Sequence, residues 1–323
     1  MKLAADHVKV KVPATSANLG PGFDALGLAL NFSDELEVRA LGSEHVEVEI
    51  EGEGAGEVPG DERHLVVKTI RRALDHVGAP QVGLHLRAKN RIPHGRGMGS
   101  SAAAVVAGLM AAKGLIADPD ALNSEVLLNL ATQLEGHPDN AAPALRGGAT
   151  VAWMTTHDSP AAVNLEIHPG LEPTIIVPTV RLSTHRARGV LPIAVPHANA
   201  SFNAGRAALL VHALANDPDL LFDATEDKLH QEYRAPVMQQ TWALVSGLRE
   251  RGIAATVSGA GPTVLVLDRA DNAPIVEQEI ARVLDASEVA RTLVDEETGT
   301  VTRVDWRVIR PGFDHLGAQY EQL

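Results

Sequence analysis

Residues Ile92 to Ala104 read Ile-Pro-His-Gly-Arg-Gly-Met-Gly-Ser-Ser-Ala-Ala-Ala, with glycine at every second position from 95 to 99 and a run of small apolar residues behind. Gly95, Gly97 and Gly99 lack the Cβ atoms that would hold an anion off the backbone, and they admit positive φ. Ser100 and Ser101 stand where a helix should begin, and Ala102 onward is good helix material. The N-terminus of such a helix carries free N–H groups and a partial positive charge, so the segment suits a polyphosphate. A tight turn that merely lets a helix approach a sheet explains the same glycines, and on this segment alone the two readings stand about level. The pattern matches neither Gly-x-x-x-x-Gly-Lys-Ser/Thr nor Gly-x-Gly-x-x-Gly, which disfavours a Walker or Rossmann site.

The chain has 323 residues, enough for two domains, since one core seldom grows past roughly 250 to 300 residues. Hydrophobic residues make up 45% and aromatics 3%, so the core should be aliphatic. With no cysteine, disulfides, thiolate metal sites and cysteine nucleophiles are excluded. A net charge of −13 argues against nonspecific binding to nucleic acid or an anionic membrane, but not against ATP, whose phosphates respond to local groups. The opening residues lack the apolar stretch of a secretory signal, and the apolar run from Ala102 to Ala112 is too short to span a bilayer. A cytoplasmic protein with a buried helix at that run is expected. No helix-spaced histidine pair with a nearby carboxylate suggests zinc.

Val8, Val10 and Val12 alternate with lysines and predict a first strand ended by Pro13. Further strands are expected at Val46 to Ile50, Val82 to Arg87 and Ala149 to Trp153, and helices at His64 to Val77 and from an Asp118 cap through Leu134. The pattern restarts past Asp158 with a strand at Pro173 to Pro178. Helices follow near Ala198 to Ala215, Asp219 to Tyr233 and Pro236 to Arg251, the last stopped by Gly252. Strands at Ile253 to Val257 and Thr263 to Leu267, a helix near Ala273 to Leu284 and a strand near Val301 to Ile309 complete an α+β layout. The Asp158 to Pro160 segment suggests domains at 1–160 and 161–323.

Three glycine-bearing segments lie far apart: Pro13 to Asp24, the 93–104 cradle, and Ser258-Gly-Ala-Gly-Pro-Thr263. In that order they resemble the three motifs of the GHMP kinases. Ala17-Asn18-Leu19-Gly20-Pro21-Gly22-Phe23-Asp24 is similar to the homoserine kinase branch, as are Glu135-Gly136-His137-Pro138-Asp139-Asn140, Thr184 with Ala187, Arg188, Leu191 and Pro192, and Tyr233-Arg234. Met98 replaces a customary leucine, an unbranched apolar exchange that leaves the amide in place. The resemblance covers residues from about 8 to 268. It implies a two-domain fold, the first domain like domain 2 of ribosomal protein S5 and the second ferredoxin-like, with ATP and L-homoserine meeting between them.

The resemblance also implies roles. Pro93, His94, Gly95, Arg96, Gly97, Met98, Gly99, Ser100, Ser101, Ala102 and Ala103 would hold ATP. Ser101 and Glu135 would hold Mg²⁺, a cation that takes hard oxygen ligands and keeps several waters. Arg188 and Arg234 would bind the substrate carboxylate, where a guanidinium fork can act bidentately. Asp24 would take the ammonium, Asn18 and His137 would orient the substrate, and Thr184 and Gly261 would complete its site. Taken singly each has a duller reading: surface charges for the arginines, a solvated last-turn carboxylate for Glu135, turn formers for Asn18 and His137.

Some relatives use an aspartate base where this chain carries Asn140, so no dedicated base is expected: Asn140 positions the hydroxyl, Ser101 and Arg188 assist the transfer, and Asp139 is the fallback base. The Ser258 to Thr263 segment serves equally as a hairpin turn and as a wall of the cleft. Homodimers are common among such relatives. Rival readings are a GHMP kinase for another small alcohol, a non-catalytic amino-acid-binding regulator on the same fold, and a lyase of the diphosphate decarboxylase type. The Asp24, Arg188 and Arg234 set disfavours the first. Retention of Ser101, Glu135 and the cradle glycines disfavours the second, and the lack of an extra basic cluster disfavours the third.

Overall fold

A computed structural model describes residues 1–294 and 300–323. Strand β1 (His7–Asn18) pairs antiparallel with the twenty-residue β2 (Gly22–Leu41). Val8, Val10 and Val12 are buried as the alternation requires, but Pro13 does not end the strand. The register against β2 shifts between Pro13 and Ala14, and such a bulge tolerates the missing amide. The continuation delivers buried Thr15, Ser16 and Asn18 to the site.

Next come β3 (Val46–Gly52), α1 (Leu65–His76), β4 (Gly83–Asn90) and α2 (Ser100–Leu115). Then α3 (Ser124–Glu135), α4 (Ala141–Arg146), β5 (Ala149–Met154) and β6 (Pro160–Leu165) follow. The Asp118 cap is corrected: Pro119–Leu122 is a separate 3-10 turn, and Asn123 caps α3 by accepting from the amides of Glu125 and Val126. α2 is apolar on nearly every face and is the buried helix expected, packed against β1, α1 and α3. Opposite β1, β2 serves two further neighbours, with Glu35–Leu41 on β4 and Leu26–Leu28 on β5, while β6 pairs with β5.

The remaining chain forms β7 (Leu171–Pro178), α5 (Thr184–Gly189), α6 (His197–Ala215), α7 (Leu221–Ala224), α8 (Gln231–Arg234) and α9 (Gln239–Arg249). It ends with β8 (Ala255–Val257), β9 (Val264–Arg269), α10 (Ala273–Ala286), α11 (Glu288–Arg291), β10 (Thr292–Val294), β11 (Val301–Arg303), β12 (Trp306–Ile309) and β13 (Gln319–Gln322). The order β12-β7-β9-β8 makes a four-stranded antiparallel sheet, on which α9 packs, with α10 against α9.

Two expectations fail here. The helix at Asp219 to Tyr233 is broken between α7 and α8, because the Asp227 carboxylate accepts from the amides of Leu229, His230 and Gln231 and closes a loop instead. The strand at Val301 to Ile309 is two strands in different sheets.

β13 returns to the first sheet beside β1, giving β13-β1-β2-β4-β3 with β5 and β6 appended. Sheet membership thus groups with the N-terminal half both β6, which straddles the expected division at 160/161, and β13, far beyond it. The core is aliphatic: one cluster lies between the first sheet and α1 to α3, and a smaller one, centred on Ile176, Leu244, Val257 and Val264, underlies the second sheet.

Candidate active site

The three glycine-bearing segments meet. The Thr15 amide donates to Met98 O at 3.1 Å, the Gly259 amide to Ala17 O at 2.9 Å, and the Thr263 amide to Arg96 O at 3.3 Å. Ser258 Oγ lies 2.7 Å from Gly97 O and 2.8 Å from Ser16 Oγ. Glycine is required where this packing is closest. A Cβ on Gly99 (φ +67°) would lie 1.9 Å from Thr15 Oγ1, and one on Gly97 (φ +72°) 2.3 Å from Ser258 O. Gly99 stands at the N-cap of α2 without a side-chain cap, so the amides of the first turn stay open. The Arg96 guanidinium turns away from the polar cleft, donating to Pro178 O and Thr179 O at 2.9 Å each and back to His94 O at 3.3 Å. Met98 is buried.

Beside the cradle lies a polar cleft of about 380 Å³, lined among others by Asn18, Gly95, Gly97, Gly99, Ser100, Ser101, Ala102, Glu135, His137, Asp139, Asn140, Thr184, Arg188 and Arg234. Ser101 Oγ donates to Glu135 Oε1 at 2.6 Å across the start of α2 and the end of α3. Burial pushes the Glu135 carboxyl up, its hydrogen bond with Ser101 opposing this only in part. A desolvated carboxylate with a hydroxyl at its side is a donor set that a hard cation would relieve.

His137 Nδ1 donates to Asp139 Oδ1 at 2.7 Å, and this bond raises the His137 pKa. Asp139 is 2% exposed and belongs to that pair. Asn140 Oδ1 accepts from Thr15 Oγ1 at 2.8 Å and its Nδ2 lies 3.4 Å from Asp139 Oδ1, so the amide is oriented by a side chain on each flank.

At the other end stand the charged groups. Asp24 and Arg188 form a two-pronged ion pair, at 2.7 and 3.2 Å, which raises the Arg188 pKa. Asp24 is held at φ +56°, its amide donating to Asn18 Oδ1 at 2.9 Å, while Asn18 Nδ2 donates to Gly259 O at 2.8 Å.

Arg234 is 1% exposed and donates to Ala187 O, His230 Nδ1 and Gly259 O. Among the described residues no carboxylate lies within ion-pair distance of it. Burial first, then the neighbouring Arg188 charge, lower its pKa to about 10. His230, fully buried and with its pKa lowered by burial, accepts from Arg234 at Nδ1 and so presents Nε2–H to Gly20 O at 2.7 Å. Phe23 stacks on His230 at 5.1 Å and lies beneath both guanidiniums, 5.7 Å from Arg188 and 5.5 Å from Arg234. Two cations therefore converge on one wall of the cleft, and one of them lacks a counter-ion.

Thr184 lines the cleft at the first turn of α5, which Ser183 caps. Gly261 does not line it: a Cβ there would meet Met238 Sδ at 2.7 Å, and Gly259 and Ala260 form the wall instead. Asp24 does not line the cleft itself; it borders it through Arg188 and Asn18, which do. Pro93 is buried behind the loop, and His94 and Ala103 face a second cavity.

That cavity, about 330 Å³ and mostly apolar, shares Ser100 and Ser101 with the polar cleft. Asp34, Leu36, Val58, Pro59, His64, Leu65, Ala88 and Asn90 line it. Sequence reasoning missed all of them, because they come singly from β2, β4, α1 and a loop, with no motif to mark them. The Asp227–His230–Arg234 buttress was likewise invisible apart from Arg234 itself.

Comparison with known proteins agrees with this geometry. Residues 64–148 match the GHMP kinases N terminal domain and residues 207–286 the GHMP kinases C terminal model. The chain is 47% identical over 315 residues to a homoserine kinase of Streptomyces coelicolor, covering 97% of this chain and 94% of that protein. It is 54% identical over 261 residues to one of Clavibacter michiganensis subsp. michiganensis, covering 81% and 82%. A crystal structure of homoserine kinase from Cytophaga hutchinsonii superposes with a TM-score of 0.80 at 27% identity, covering 98% of each chain. A mevalonate diphosphate decarboxylase from Staphylococcus aureus shares the fold alone, with a TM-score of 0.65 at 18% identity over 98% of each chain. With both domain models matched and such relatives spanning nearly its whole length, the chain belongs to the homoserine kinases of the GHMP kinase family.

Proposed function

We propose that the cleft transfers the γ-phosphoryl group of ATP to the side-chain hydroxyl of L-homoserine, giving O-phospho-L-homoserine and ADP. The observation that carries the substrate is Arg234, a buried guanidinium with no carboxylate partner, beside an arginine paired to a carboxylate. An amino acid supplies what this set lacks: its carboxylate neutralises Arg234 and shares Arg188, while its ammonium shares Asp24. Sugars and isoprenoid acids bring no ammonium to Asp24.

Open amides from Gly97 to Ser101 suit the phosphates, and the apolar cavity adjoining Ser100 and Ser101 suits the nucleoside. Ser101 Oγ and Glu135 would hold Mg²⁺ with ATP oxygens and water, and the ion supplies charge neutralisation on the phosphates when bound. The attacking hydroxyl oxygen forms a bond to Pγ as the bond from Pγ to the β-bridging oxygen breaks. Asn140 Nδ2 donates to that hydroxyl and His137 braces it. The hydroxyl proton passes to an oxygen of the transferred phosphoryl group, since Asn140 accepts no proton and Asp139 is committed to His137.

ADP release from MgATP, followed by a coupled assay, should require L-homoserine and exceed that with mevalonate or galactose. Release that is indifferent to the acceptor, or faster with another alcohol, would sink this reading. No helix among the described residues is long and apolar enough to cross a membrane. A homodimer working in the cytoplasm is the setting we propose.

A further inference from the structure

The apolar cavity contains one acid whose position is unusual for a hydrophobic pocket. Asp34 Oδ1 accepts from both the Arg91 amide at 2.6 Å and the Ile92 amide at 2.9 Å, immediately before the glycine cradle. Its Oδ2 has no donor among the described residues. The other acid on the wall, Glu35, is occupied by Lys9 at 2.9 Å. Asn90 Nδ2 donates to Glu53 O at 3.1 Å, and His64 Nδ1 accepts from the Val66 backbone amide at 3.3 Å. Asp34 Oδ2 is thus a fixed acceptor in a mostly apolar pocket, among Leu36, Val58, Leu65 and Ala88, with His64, Asn90 and His94 also on the wall. Desolvation lifts its carboxyl to about 6, against the pull of the two amides, and a donor reaching Oδ2 would restore what burial removes.

A purine nucleotide whose phosphates lie on Ser100 and Ser101 carries its base into this cavity. Adenine has a 6-amino donor, whereas hypoxanthine and guanine present a 6-oxo acceptor that a carboxylate repels. We propose that Asp34 reads the exocyclic amine of the base and selects adenine over 6-oxopurines. This rests on the nucleotide reading given above, and makes Asp34 a specificity-determining residue in addition to the anchor of the cradle's entry.

The test is kcat/KM for ATP, ITP and purine riboside 5′-triphosphate, which lacks the 6-amino group, with L-homoserine as acceptor. The wild-type enzyme should favour ATP over both by tenfold or more, the size expected for a site that hydrogen-bonds a substrate donor. In Asp34→Asn the side-chain oxygen stays on the two backbone amides and the NH₂ turns to the cavity, so the ATP-to-ITP ratio should fall at least tenfold. A parallel fall with all three nucleotides would leave Asp34 as a loop anchor alone and overturn the proposal. So would a wild-type enzyme that uses ATP and purine riboside triphosphate equally, a comparison that needs no variant. Absence of phosphoryl transfer from any nucleotide in the wild type would instead defeat the kinase reading itself, and this inference with it.

Discussion

Replacing Arg234 by methionine separates substrate capture from stability, because two opposed effects meet at one side chain. The buried guanidinium is a cost to the free protein: its pKa is pushed down to about 10, and at about 1.4 kcal/mol per pH unit that depression amounts to about 3 kcal/mol. The sign is that of a base whose folded pKa is depressed. The penalty is complete below about pH 10 and disappears only as pH rises past the unfolded value, so it is in force at neutral pH. Against it stand the bonds from Arg234 to Ala187 O, His230 Nδ1 and Gly259 O. Leaving three acceptors without a donor costs about 1 kcal/mol each. The two contributions are of equal size, so the melting temperature of Arg234→Met should lie within a few degrees of wild type.

Homoserine binding has no such offset. The lost carboxylate partner is a charge-assisted pair in a desolvated site, worth about 2 to 4 kcal/mol, or about thirty- to a thousandfold in kcat/KM. Because carboxylate and guanidinium are paired in ground state and transition state alike, the loss should appear in KM for homoserine with kcat changed far less. The accompanying thermal shift is equally specific: saturating homoserine stabilises the wild type and should leave the variant unmoved. A variant that melts ten degrees lower yet keeps the wild-type KM would refute the reasoning, for Arg234 would then be a structural strut.

Gly99→Ala should cost about 1 to 3 kcal/mol of stability and abolish measurable ATP binding by calorimetry, since a Cβ at φ +67° would lie 1.9 Å from Thr15 Oγ1. Glu135→Gln should reduce kcat about a hundredfold and raise the magnesium concentration needed for half-maximal rate. The same change should leave the free protein as stable as wild type or more so, because burial already disfavours the Glu135 charge. Asp139→Asn removes the carboxylate charge that helps raise the His137 pKa, so the His137 midpoint followed by NMR should fall. The stability that pair contributes is present below the ordinary histidine pKa and lost as pH rises through the raised one, so the variant should melt earlier than wild type chiefly at acid pH. Its rate should drop less than tenfold, and a collapse of roughly 10² to 10⁴ with intact homoserine binding would make Asp139 the base.

What the sequence displayed of this site depended on how each residue contributes. Segments whose backbone does the work leave a mark, since positive φ and close approach demand glycine: the cradle, the Ser258 to Thr263 turn and the helix stop at Gly252 could all be read. Alternating and helical apolar periods likewise located the start of β1, and α1, α2 and α10 to within a few residues. The failures share a cause, which is tertiary contact overriding local signals. Pro13 reads as a strand end, but β2 absorbs it at a bulge. Asp118-Pro119 reads as a helix start, yet the chain makes one 3-10 turn and begins again at Asn123. The acid Asp227 breaks an otherwise helical period by gathering three amides. β13 has no strong strand pattern of its own and is fixed by pairing with β1, over 300 residues earlier in the chain. The apolar cavity stayed hidden because leucine, valine, alanine and proline along most of its wall have the composition of any core.

The co-occurrence of three distant motifs, which in sequence looks like a statistical coincidence of glycines, has one physical origin. Gly99 is glycine because Thr15 of the first segment stands where its Cβ would be, and Gly97 because the carbonyl of Ser258 in the third does. Ser258 in turn bonds both Gly97 O and Ser16, and the Gly259 amide closes on Ala17 O. Each segment's composition is therefore dictated by the backbone of another, and the cradle keeps its open amides only while all three are in register. A substitution at Ser258, which lines neither the polar cleft nor the apolar cavity, should for that reason behave as a cradle mutation. Ser258→Ala removes a bond to Gly97 O and should raise KM for ATP several-fold while leaving KM for homoserine near wild type. Equal effects on both substrates would mean that the second sheet holds the cleft as a whole and not the phosphate loop in particular.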